Sequence, residues 1–203
     1  MDNIILIGAG GHARSCMDVI ELTGMYKIVG VVEKADVKSQ ESIGYPVIGT
    51  DDDLGNLRQK YSCALVTVGQ IKSPVNRIRI FQHLQKLNYN IPVIISPRAY
   101  VSKHAKIGEG TIVLHDAVVN ANAKVGKNCI INSKALIEHD AIVGNHCHIA
   151  TGAIVNGEVT VGNESFMGSG AITRQSVSVG ENCVIGAGVV VKRDIEPDQI
   201  IKS

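Results

Sequence analysis

The sequence is poor in aromatic residues. It contains no tryptophan and two phenylalanines among 203 residues, whereas glycine accounts for 21. The apolar residues are therefore mostly aliphatic, and Val and Ile are frequent among them. A core made from aliphatic side chains alone is typical of repetitive structures, in which one packing position recurs along the chain. The length suffices for one large domain or two small ones, and we expect two.

The sequence also lacks an excess of either charge. Lys and Arg together number 20, against 19 Asp and Glu. This balance excludes the strongly basic surface by which proteins bind nucleic acid or an anionic membrane. No apolar run approaches the length that spans a bilayer, and acidic Asp2 stands where a signal peptide is basic. We therefore expect a cytoplasmic protein without membrane insertion.

Paired cysteines are absent as well. The number of cysteines is odd and no CxxC motif occurs, which argues against a disulfide framework and against a thiolate zinc site. We expect all of them to be reduced; they stand at positions 16, 63, 129, 147 and 183.

What the sequence does contain is a six-residue repeat, in which two columns of residues recur every six positions. The first column is aliphatic. The second column stands four residues after the first and holds only small or β-branched side chains from Ala105 to Val189. Neither an α-helix nor a strand meander keeps a strict period of six over such a length. A triangular coil with one hexapeptide per side does. The first column is aliphatic except at Thr173 and comprises Val101, Ile107, Val113, Val119, Val125, Ile131, Ile137, Val143, Ile149, Val155, Val161, Met167, Thr173, Val179, Ile185 and Val191.

Glycine often follows the aliphatic residue of the repeat. We expect these glycines to supply unusual backbone dihedral angles at the turns between sides. The glycines are Gly108, Gly126, Gly144, Gly162, Gly168, Gly180 and Gly186.

The six-residue period resembles the hexapeptide repeat of left-handed β-helix acyltransferases over about residues 95–195.

The N-terminal segment has the pattern of a nucleotide-binding turn. Residues 3–7 predict a strand, residues 8–13 read GAGGHA, and a helix follows. A second strand over residues 28–32 ends in Glu33, where dinucleotide-binding folds place the acid that meets a ribose hydroxyl. Further strand and helix patterns cover residues 64–68 and 75–87, and residues 92–96 lead into the repeat. This half-Rossmann pattern predicts an α/β domain over residues 1–94, followed by an all-β helix domain over residues 95–203.

Three interpretations of the glycine turn remain open. A redox dinucleotide fits the motif, but fewer than a hundred residues precede the repeat and no redox half follows it. The turn and the helix N-terminus would hold the pyrophosphate of a nucleotide-sugar equally well. The glycines also fit a tight turn with no ligand.

His139 is the candidate catalytic residue. It follows Ile137 by two positions, away from both packing columns, so we expect its imidazole at the surface or in an intersubunit cleft. Acyl transfer from a thioester needs a base, and histidine titrates near neutrality. Asp140 or Glu138 would orient the ring, as a carboxylate does in hydrolytic triads.

The alternative for this segment is a metal site. His139, His146 and His148 cluster in sequence and histidine is a common zinc ligand, but their spacing matches no zinc motif. We therefore expect no metal. We expect His104, His115 and His146 to be solvated surface residues.

Together the two halves resemble the bacterial sugar O- and N-acetyltransferases of the sialic-acid and bacillosamine type, the NeuD/PglD-like proteins. The resemblance covers nearly the whole chain and rests on GAGGHA, the glycine at 69, IEHDAIVGNHCHIATGA and VNGEVTVG. It implies that His139 is the general base, supported by Asp140. It implies acetyl-CoA contacts at His148 and at the backbone of Ser169 and Ala187. It also implies nucleotide-sugar contacts at Gly10, Gly11, His12, Glu33, Lys34 and Gly69.

The resemblance predicts an acetyl-CoA-dependent N-acetyltransferase acting on the C4 amine of a nucleotide-linked amino-dideoxy sugar in surface-glycan biosynthesis. Two alternatives remain: O-acetylation of a sialic-acid-like sugar, and a non-catalytic hexapeptide-repeat assembly protein, which would not need the glycine turn.

The resemblance further predicts a homotrimer with each acetyl-CoA cleft between prisms. Apolar residues on the flat sides would then be covered by neighbours; these are Ile112, Val118, Ile130, Leu136 and Ile142.

Overall fold

A computed structural model of the chain describes residues 1–34, 41–42, 44–71 and 73–202. The N-terminal part contains the strands β1 (Asp2–Ile7), β2 (Tyr26–Val32), β3 (Glu41–Ser42), β4 (Tyr45–Gly49) and β5 (Cys63–Val66), and the helices α1 (Gly11–Thr23), α2 (Leu54–Arg58) and α3 (Val75–Lys86), with a 3-10 turn at Asp51–Asp53. The strands form a sheet with the order β3-β4-β2-β1-β5. Only the β3–β4 pair is antiparallel among the described strands of this sheet.

The sequence pattern explains these elements. In β1 the run from Ile4 to Ile7 is buried on both faces, as a central parallel strand requires. Helix α1 ends at Gly24, which adopts a left-handed conformation with φ 62°. The predicted strand over 28–32 and the helix over 75–87 are confirmed within two residues at their ends.

The remainder is a three-sided prism of two-residue strands. Strands pair in parallel with the strand eighteen residues further on, except for the last pair, in which Val184 lies opposite Ile200, so three sheets run along the prism. The first face contains β7 (Tyr100–Val101), β10 (Val118–Val119), β13 (Leu136–Ile137), β16 (Ile154–Val155), β19 (Ile172–Thr173) and β22 (Val190–Val191). The second face contains β8 (Lys106–Ile107), β11 (Lys124–Val125), β14 (Ile142–Val143), β17 (Thr160–Val161) and β20 (Ser178–Val179). The third face contains β6 (Ile94–Ile95), β9 (Ile112–Val113), β12 (Ile130–Ile131), β15 (His148–Ile149), β18 (Phe166–Met167), β21 (Val184–Ile185) and β23 (Ile200–Ile201).

The predicted left-handed parallel β-helix is confirmed. Its two packing columns form one buried cluster inside the prism, from Val113 to Val191. Thr173, which interrupts the aliphatic column, is also buried. Its Oγ1 accepts a hydrogen bond from the Asn156 backbone N–H at 2.9 Å, so the hydroxyl is satisfied inside the core. The predicted domain division between residues 94 and 95 lies within β6 and stays a prediction.

The predicted reason for the repeat glycines was wrong. None of the seven glycines has a positive φ. They are needed because the coils stack closely: a Cβ on Gly108 would lie 2.5 Å from the carbonyl carbon of Gly126. The left-handed conformation occurs two residues later in the turn, where it is adopted by Gly110 and by non-glycine residues such as Asp140 and His146.

A ladder of small donors explains the cysteines of the repeat. At the turn between the second and third faces, each side chain donates a hydrogen bond to a carbonyl in the next coil. Cys129 donates to Gly144 at 3.0 Å, and Cys147 donates to Gly162 at the same distance. Thr111, Ser165 and Cys183 do the same at 2.7, 2.8 and 3.1 Å. The thiols are buried and free, and they give carbonyls of the next coil a hydrogen-bond donor.

The α/β part packs on the third face of the prism. Ile94, Ile112 and Ile130 belong to one buried cluster with Cys16 and Met17 of α1. The expectation that Ile112 and Ile130 are left for a neighbouring subunit is therefore wrong, because α1 covers both. Val118 and Leu136 are half-buried, and Ile142 is 41% exposed.

In the described ranges, the helices are too short or too polar to cross a bilayer.

The thiol ladder gives a test of this packing. We predict that Cys147→Val leaves the carbonyl of Gly162 without its side-chain donor and destabilises the fold by about 0.5–1.5 kcal/mol. Cys147→Ser is the matched control, because the native Ser165 already makes the same contact one coil further on. The thermal midpoints of both variants measure the effect. Equal midpoints for Val and Ser would contradict the role of the thiol as a donor.

Candidate active site

The glycine turn connects the end of β1 to the start of α1. Gly8 has φ 107°, and a Cβ there would lie 2.7 Å from the side chain of Val68, so this position requires glycine. Gly10 is the N-cap of α1, and no side chain caps the helix. The first backbone N–H groups of α1 thus have no capping acceptor, and such a helix end binds anions.

The turn opens into a pocket of about 680 Å³, here called the turn pocket. It is lined by residues 8–12, 33–34 and 67–71. A Cβ added to Gly10 or Gly11 would meet nothing within 4 Å. The protein itself therefore does not demand glycine at these two positions, which favours a ligand over the interpretation of a turn without one. All of the predicted acceptor contacts lie in this lining: Gly10, Gly11, His12, Glu33, Lys34 and Gly69.

Glu33 holds the turn in place. Its Oε2 accepts a hydrogen bond from the Ala9 backbone N–H at 2.7 Å, and its Oε1 accepts one from the Lys34 N–H at 2.9 Å. The carboxylate is thereby fixed at the end of β2, where the ribose of a nucleotide is expected.

A second cavity of about 430 Å³ adjoins the turn pocket and is here called the interdomain cleft. It shares His12, Gly69 and Gln70 with the turn pocket. Its other wall belongs to the β-helix and includes Asn132 and His148. The predicted acceptor residues and one predicted acetyl-CoA residue therefore face connected space. Sequence reasoning missed Gln70 and Asn132, whose residue types carry no motif.

His148 is held between the two parts of the chain. Its side chain projects from β15, and the residue is 7% exposed. Nδ1 donates to the Gln70 carbonyl oxygen at 2.5 Å, and Nε2 accepts from Asn132 Nδ2 at 3.2 Å. Burial lowers the pKa of His148 to about 4, so the ring is neutral at pH 7. Both ring nitrogens bond to the protein, and its predicted contact with acetyl-CoA stays a prediction.

Ser169 and Ala187 lie along the edge between the third and first faces. Both are exposed, and each stands in a turn whose next residue is a glycine of positive φ. The turns stack: Gly170 N–H donates to Thr151 at 3.0 Å and Gly188 N–H donates to Ser169 at 2.9 Å. Because Thr151 lines the interdomain cleft, these predicted acetyl-CoA positions continue the cleft along one edge of the prism.

His139 lies at the turn between the first and second faces. Its side chain is 51% exposed. Nδ1 donates to Asp140 Oδ2 at 2.8 Å, which leaves Nε2 as the acceptor nitrogen of the ring. The ring lies over Gly157 of the next coil, where a Cβ would come within 2.9 Å of Cε1 and Nε2. The hydrogen bond to Asp140 raises the pKa of His139 above its usual value.

The structure distinguishes the two candidate partners of His139. Asp140 bonds to the ring, whereas Glu138 accepts from the His139 backbone N–H at 3.2 Å. Asp140 is fixed by the Asn122 amide, which donates to Oδ1 at 2.6 Å, and this contact lowers the pKa of Asp140. The carboxylate therefore stays ionised beside the imidazole and stabilises its protonated form.

Two of the three histidines expected at the solvated surface are tied into the structure. His104 is exposed, as predicted. His115 bonds to Ser96 Oγ at 2.8 Å and to Asp18 of α1 at 2.7 Å. His146 accepts from Asn128 and packs edge-on against Phe81 at 5.7 Å. His115 and His146 both contact the α/β part. The sequence does not reveal these contacts, because they depend on how the two parts of the chain pack.

The three histidines of the metal alternative do not converge. His139 lies at the turn between the first and second faces, His146 at the turn between the second and third, and His148 on the third face itself. Across the described ranges, no group of three or more potential metal ligands occurs.

The His139–Asp140 contact can be tested without an assay. We predict that Asp140→Asn lowers the pKa of His139, because the partner that stabilises the imidazolium is removed. Histidine side-chain NMR during a pH titration measures the shift. Asp116→Asn is the matched control, since Asp116 occupies the same left-handed turn position but pairs with Arg98 at 2.9 Å. An unchanged titration of His139 in Asp140→Asn would contradict the contact.

Comparison with known families places these features in context. The PglD N-terminal domain profile matches residues 3–84. The bacterial transferase hexapeptide profile matches residues 104–139 and 122–157, and the hexapeptide repeat of succinyl-transferase matches residues 158–193. No similar protein was found among curated sequences.

Solved structures extend the similarity to the whole chain. The acetyltransferase domain of PglB from Neisseria gonorrhoeae, in complex with acetyl coenzyme A, is 33% identical, with a TM-score of 0.90 over 98% of this chain and 94% of that one. PerB from Caulobacter crescentus, in complex with CoA and GDP-perosamine, is 29% identical, with a TM-score of 0.91 over 98% and 93%. WeeI from Acinetobacter baumannii is 19% identical, with a TM-score of 0.84 over 100% and 97%, which bears on the fold alone. The chain belongs to the PglD-like family of hexapeptide-repeat sugar acetyltransferases.

Proposed function

We propose that the protein transfers an acetyl group from acetyl-CoA to an amine of a nucleotide-linked amino-dideoxy sugar, at C4, for surface-glycan biosynthesis. The observation that carries the proposal is the exposed His139, whose Nδ1 is bonded to Asp140 and whose Nε2 is free to take a proton. The neighbours support the choice of substrates. PglB was solved with acetyl coenzyme A, and the Caulobacter enzyme, named a perosamine N-acetyltransferase, was solved with CoA and GDP-perosamine.

The acceptor is proposed to bind in the turn pocket. The uncapped start of α1 offers N–H groups to the pyrophosphate. Glu33 and Lys34 stand at the end of β2, where the nucleoside is expected, and Gly69 forms the opposite wall. We propose that residues 1–94 bind the nucleotide-sugar and that residues 95–203 bind acetyl-CoA and supply the base.

The edge of the prism fits acetyl-CoA. The backbone N–H groups of Ser169 and Ala187 make no hydrogen bond within the described part of the chain, and both residues are exposed. Such amides suit the polar groups of the pantetheine arm, and one of them suits the developing oxyanion. Acetyl-CoA supplies the activated acetyl thioester.

His139 is proposed to act as the general base. Its Nε2 accepts a proton from the acceptor amine as the amine nitrogen bonds to the acetyl carbon and the carbon–sulfur bond breaks. Asp140, already ionised, stabilises the imidazolium that forms. The proton then leaves with the CoA thiol, and the ring returns to its neutral form.

The position of His139 supports an active site shared between two copies of the chain. The α/β part packs on the third face, whereas His139 lies at the opposite turn, between the first and second faces. The prism therefore separates the base from the turn pocket of its own chain. The outward side chains of the first face are apolar: Tyr100, Val118, Leu136, Ile154, Ile172 and Val190.

We propose that this face is buried in a homotrimer, in which one prism brings His139 to the interdomain cleft of the next. A closed ring with threefold symmetry buries the same face on every copy. We also propose that the protein acts in the cytoplasm, because its buried free thiols suit a reducing compartment.

The catalytic proposal predicts that His139→Ala loses a factor of about 10²–10⁴ in kcat, because general-base assistance is removed. His139→Asn should lose activity likewise, since an amide takes up no proton. His104→Ala is the control, because His104 is an exposed histidine of the same prism. Steady-state kinetics with nucleotide amino-sugars and acetyl-CoA measure the effect.

Three outcomes would change this assignment. Near-normal kcat in a well-folded His139→Ala would show that the base lies elsewhere. Mass spectra showing acetyl on oxygen would favour the sialic-acid-type O-transfer. Absence of binding to acetyl-CoA and to any nucleotide-sugar by calorimetry would favour the non-catalytic assembly protein.

The trimer proposal predicts that Ile154→Arg on the first face dissociates the assembly, because a charge replaces an apolar contact at its interface. Light scattering at micromolar concentration measures the mass. Thr160→Arg on the exposed second face is the control and should keep the mass of a trimer. A monomeric wild-type protein at that concentration would rule the trimer out.

A further inference from the structure

Arg77 is a buried cation that the proposed mechanism does not use. It lies on α3, is 1% exposed and is among the largest fully buried side chains. Nη1 donates to the carbonyl oxygens of Val66 at 3.1 Å and Val68 at 2.6 Å. Nη2 donates to the backbone oxygen of Asn128 at 3.2 Å and to its Oδ1 at 2.8 Å. The guanidinium thus joins the α/β part to the β-helix.

All of these acceptors are neutral. None of the ion pairs among the described residues includes Arg77, and its Nε has no hydrogen-bond partner there. Burying a charge without a counter-ion is costly, and proteins usually pair such a group with a carboxylate. Burial lowers the pKa of Arg77 to about 10, which still leaves it positive at neutral pH.

The charge lies directly behind the turn pocket. Val66 ends β5, and Val68 belongs to the pocket wall that continues through Gly69 and Gln70. Thr67 Oγ1 in the same segment donates to the Gly8 carbonyl at 2.7 Å, so this wall also contacts the glycine turn. Arg77 therefore supports the wall from its inner side.

His12 in the turn pocket and His148 in the adjoining interdomain cleft do not add to this charge. Burial, and after it the positive charge of Arg77, together lower the pKa of His12 to about 3. The same two causes act on the pKa of His148. Both rings are neutral at pH 7, so the buried positive charge behind the turn pocket comes from Arg77.

We propose that Arg77 is a specificity-determining residue for the acceptor: its uncompensated charge behind the turn pocket favours sugars that carry a diphosphate over neutral sugars. The proposal rests on the proposed function, in that the acceptor must bind in this pocket. A diphosphate there provides the negative charge that the protein itself does not place beside Arg77. The field acts through a protein interior of low effective dielectric constant, where it is weakly screened.

A structural clamp between the two parts of the chain would explain the same contacts, so the test must separate charge from geometry. Asn128→Asp does so. The aspartate keeps an acceptor at the position of Oδ1 and places a counter-charge against the guanidinium, 2.8 Å away in the wild type. The contact with Nη2 is then retained and the net charge behind the pocket is cancelled, although the carboxylate cannot replace the hydrogen bonds of the Asn128 amide to the Arg77 carbonyl at 3.4 Å and to His146 at 3.0 Å.

The experiment measures the binding of UDP and of GDP by calorimetry at low salt. We expect Asn128→Asp to bind the nucleotide roughly tenfold more weakly, because the added carboxylate cancels the positive charge that attracts the diphosphate. Affinity for acetyl-CoA should stay within about twofold, because its proposed edge lies away from Arg77. Arg79→Met is the matched control: it removes one charge from the same helix, but at the surface, where Arg79 pairs with Asp51 at 2.7 Å.

The outcomes are distinct. Unchanged nucleotide affinity in a folded Asn128→Asp overturns the role of the charge and leaves the acetyltransferase proposal intact. A wild-type protein that binds neither UDP nor GDP overturns both. If Asn128→Asp does not fold, Arg77→Lys and Arg77→Met decide the question. Lys keeps the charge and should keep the nucleotide affinity, whereas equal losses in both variants would overturn the proposal.

Discussion

Direct stacking of each coil on the coil eighteen residues earlier is the constraint on which this structure depends. Parallel pairing holds every two-residue strand to the next one on its face. The stacking leaves room inside only for side chains of fixed size, and it excludes a Cβ where the backbone of one coil lies against the next, as at Gly108 and Gly126. The same closeness lets Cys129 and Cys147 reach carbonyls of the following coil. Period, composition and thiol content thus have one physical cause.

Because the interior is occupied by packing, chemistry is confined to the turns and outward faces. The turn residue in the left-handed conformation directs its neighbour outward. At His139 this geometry sets Asp140, with φ 61°, beside the imidazole it supports. Asn122, one coil earlier, fixes Asp140 in turn. A repeat that exists for packing therefore also aligns the polar side chains of consecutive coils, and the proposed catalytic pair needs few additional interactions.

The sequence predicted the features that depend on spacing along the chain. The two columns, the strand and helix of the glycine turn, and the outward position of His139 all follow from local pattern. Contacts between the two parts of the chain could not be predicted in this way. His115 and His146 occupy turn positions like that of exposed His104, and only the packing of α1 and α3 distinguishes them. The same packing covers Ile112 and Ile130, which the pattern alone left on a free face. The positions of the repeat glycines follow from the sequence, but the reason for them does not. Glycine is favoured both where a Cβ has no space and where the backbone needs unusual dihedral angles, so the residue type alone does not distinguish the two causes.

The contact between the two parts of the chain explains why binding sites and fold cannot be separated here. Apolar contacts on the third face pack α1 against the prism, and the interface also contains His148 bonded to Gln70 and Arg77 bonded to Asn128. Buried polar contacts of this kind add little net stability, but they have strict geometry. Both hold residues 66–70, the segment that separates the turn pocket from the interdomain cleft. The polar interface therefore fixes the relative position of the two cavities, which a reaction between two bound substrates requires to within a fraction of an ångström.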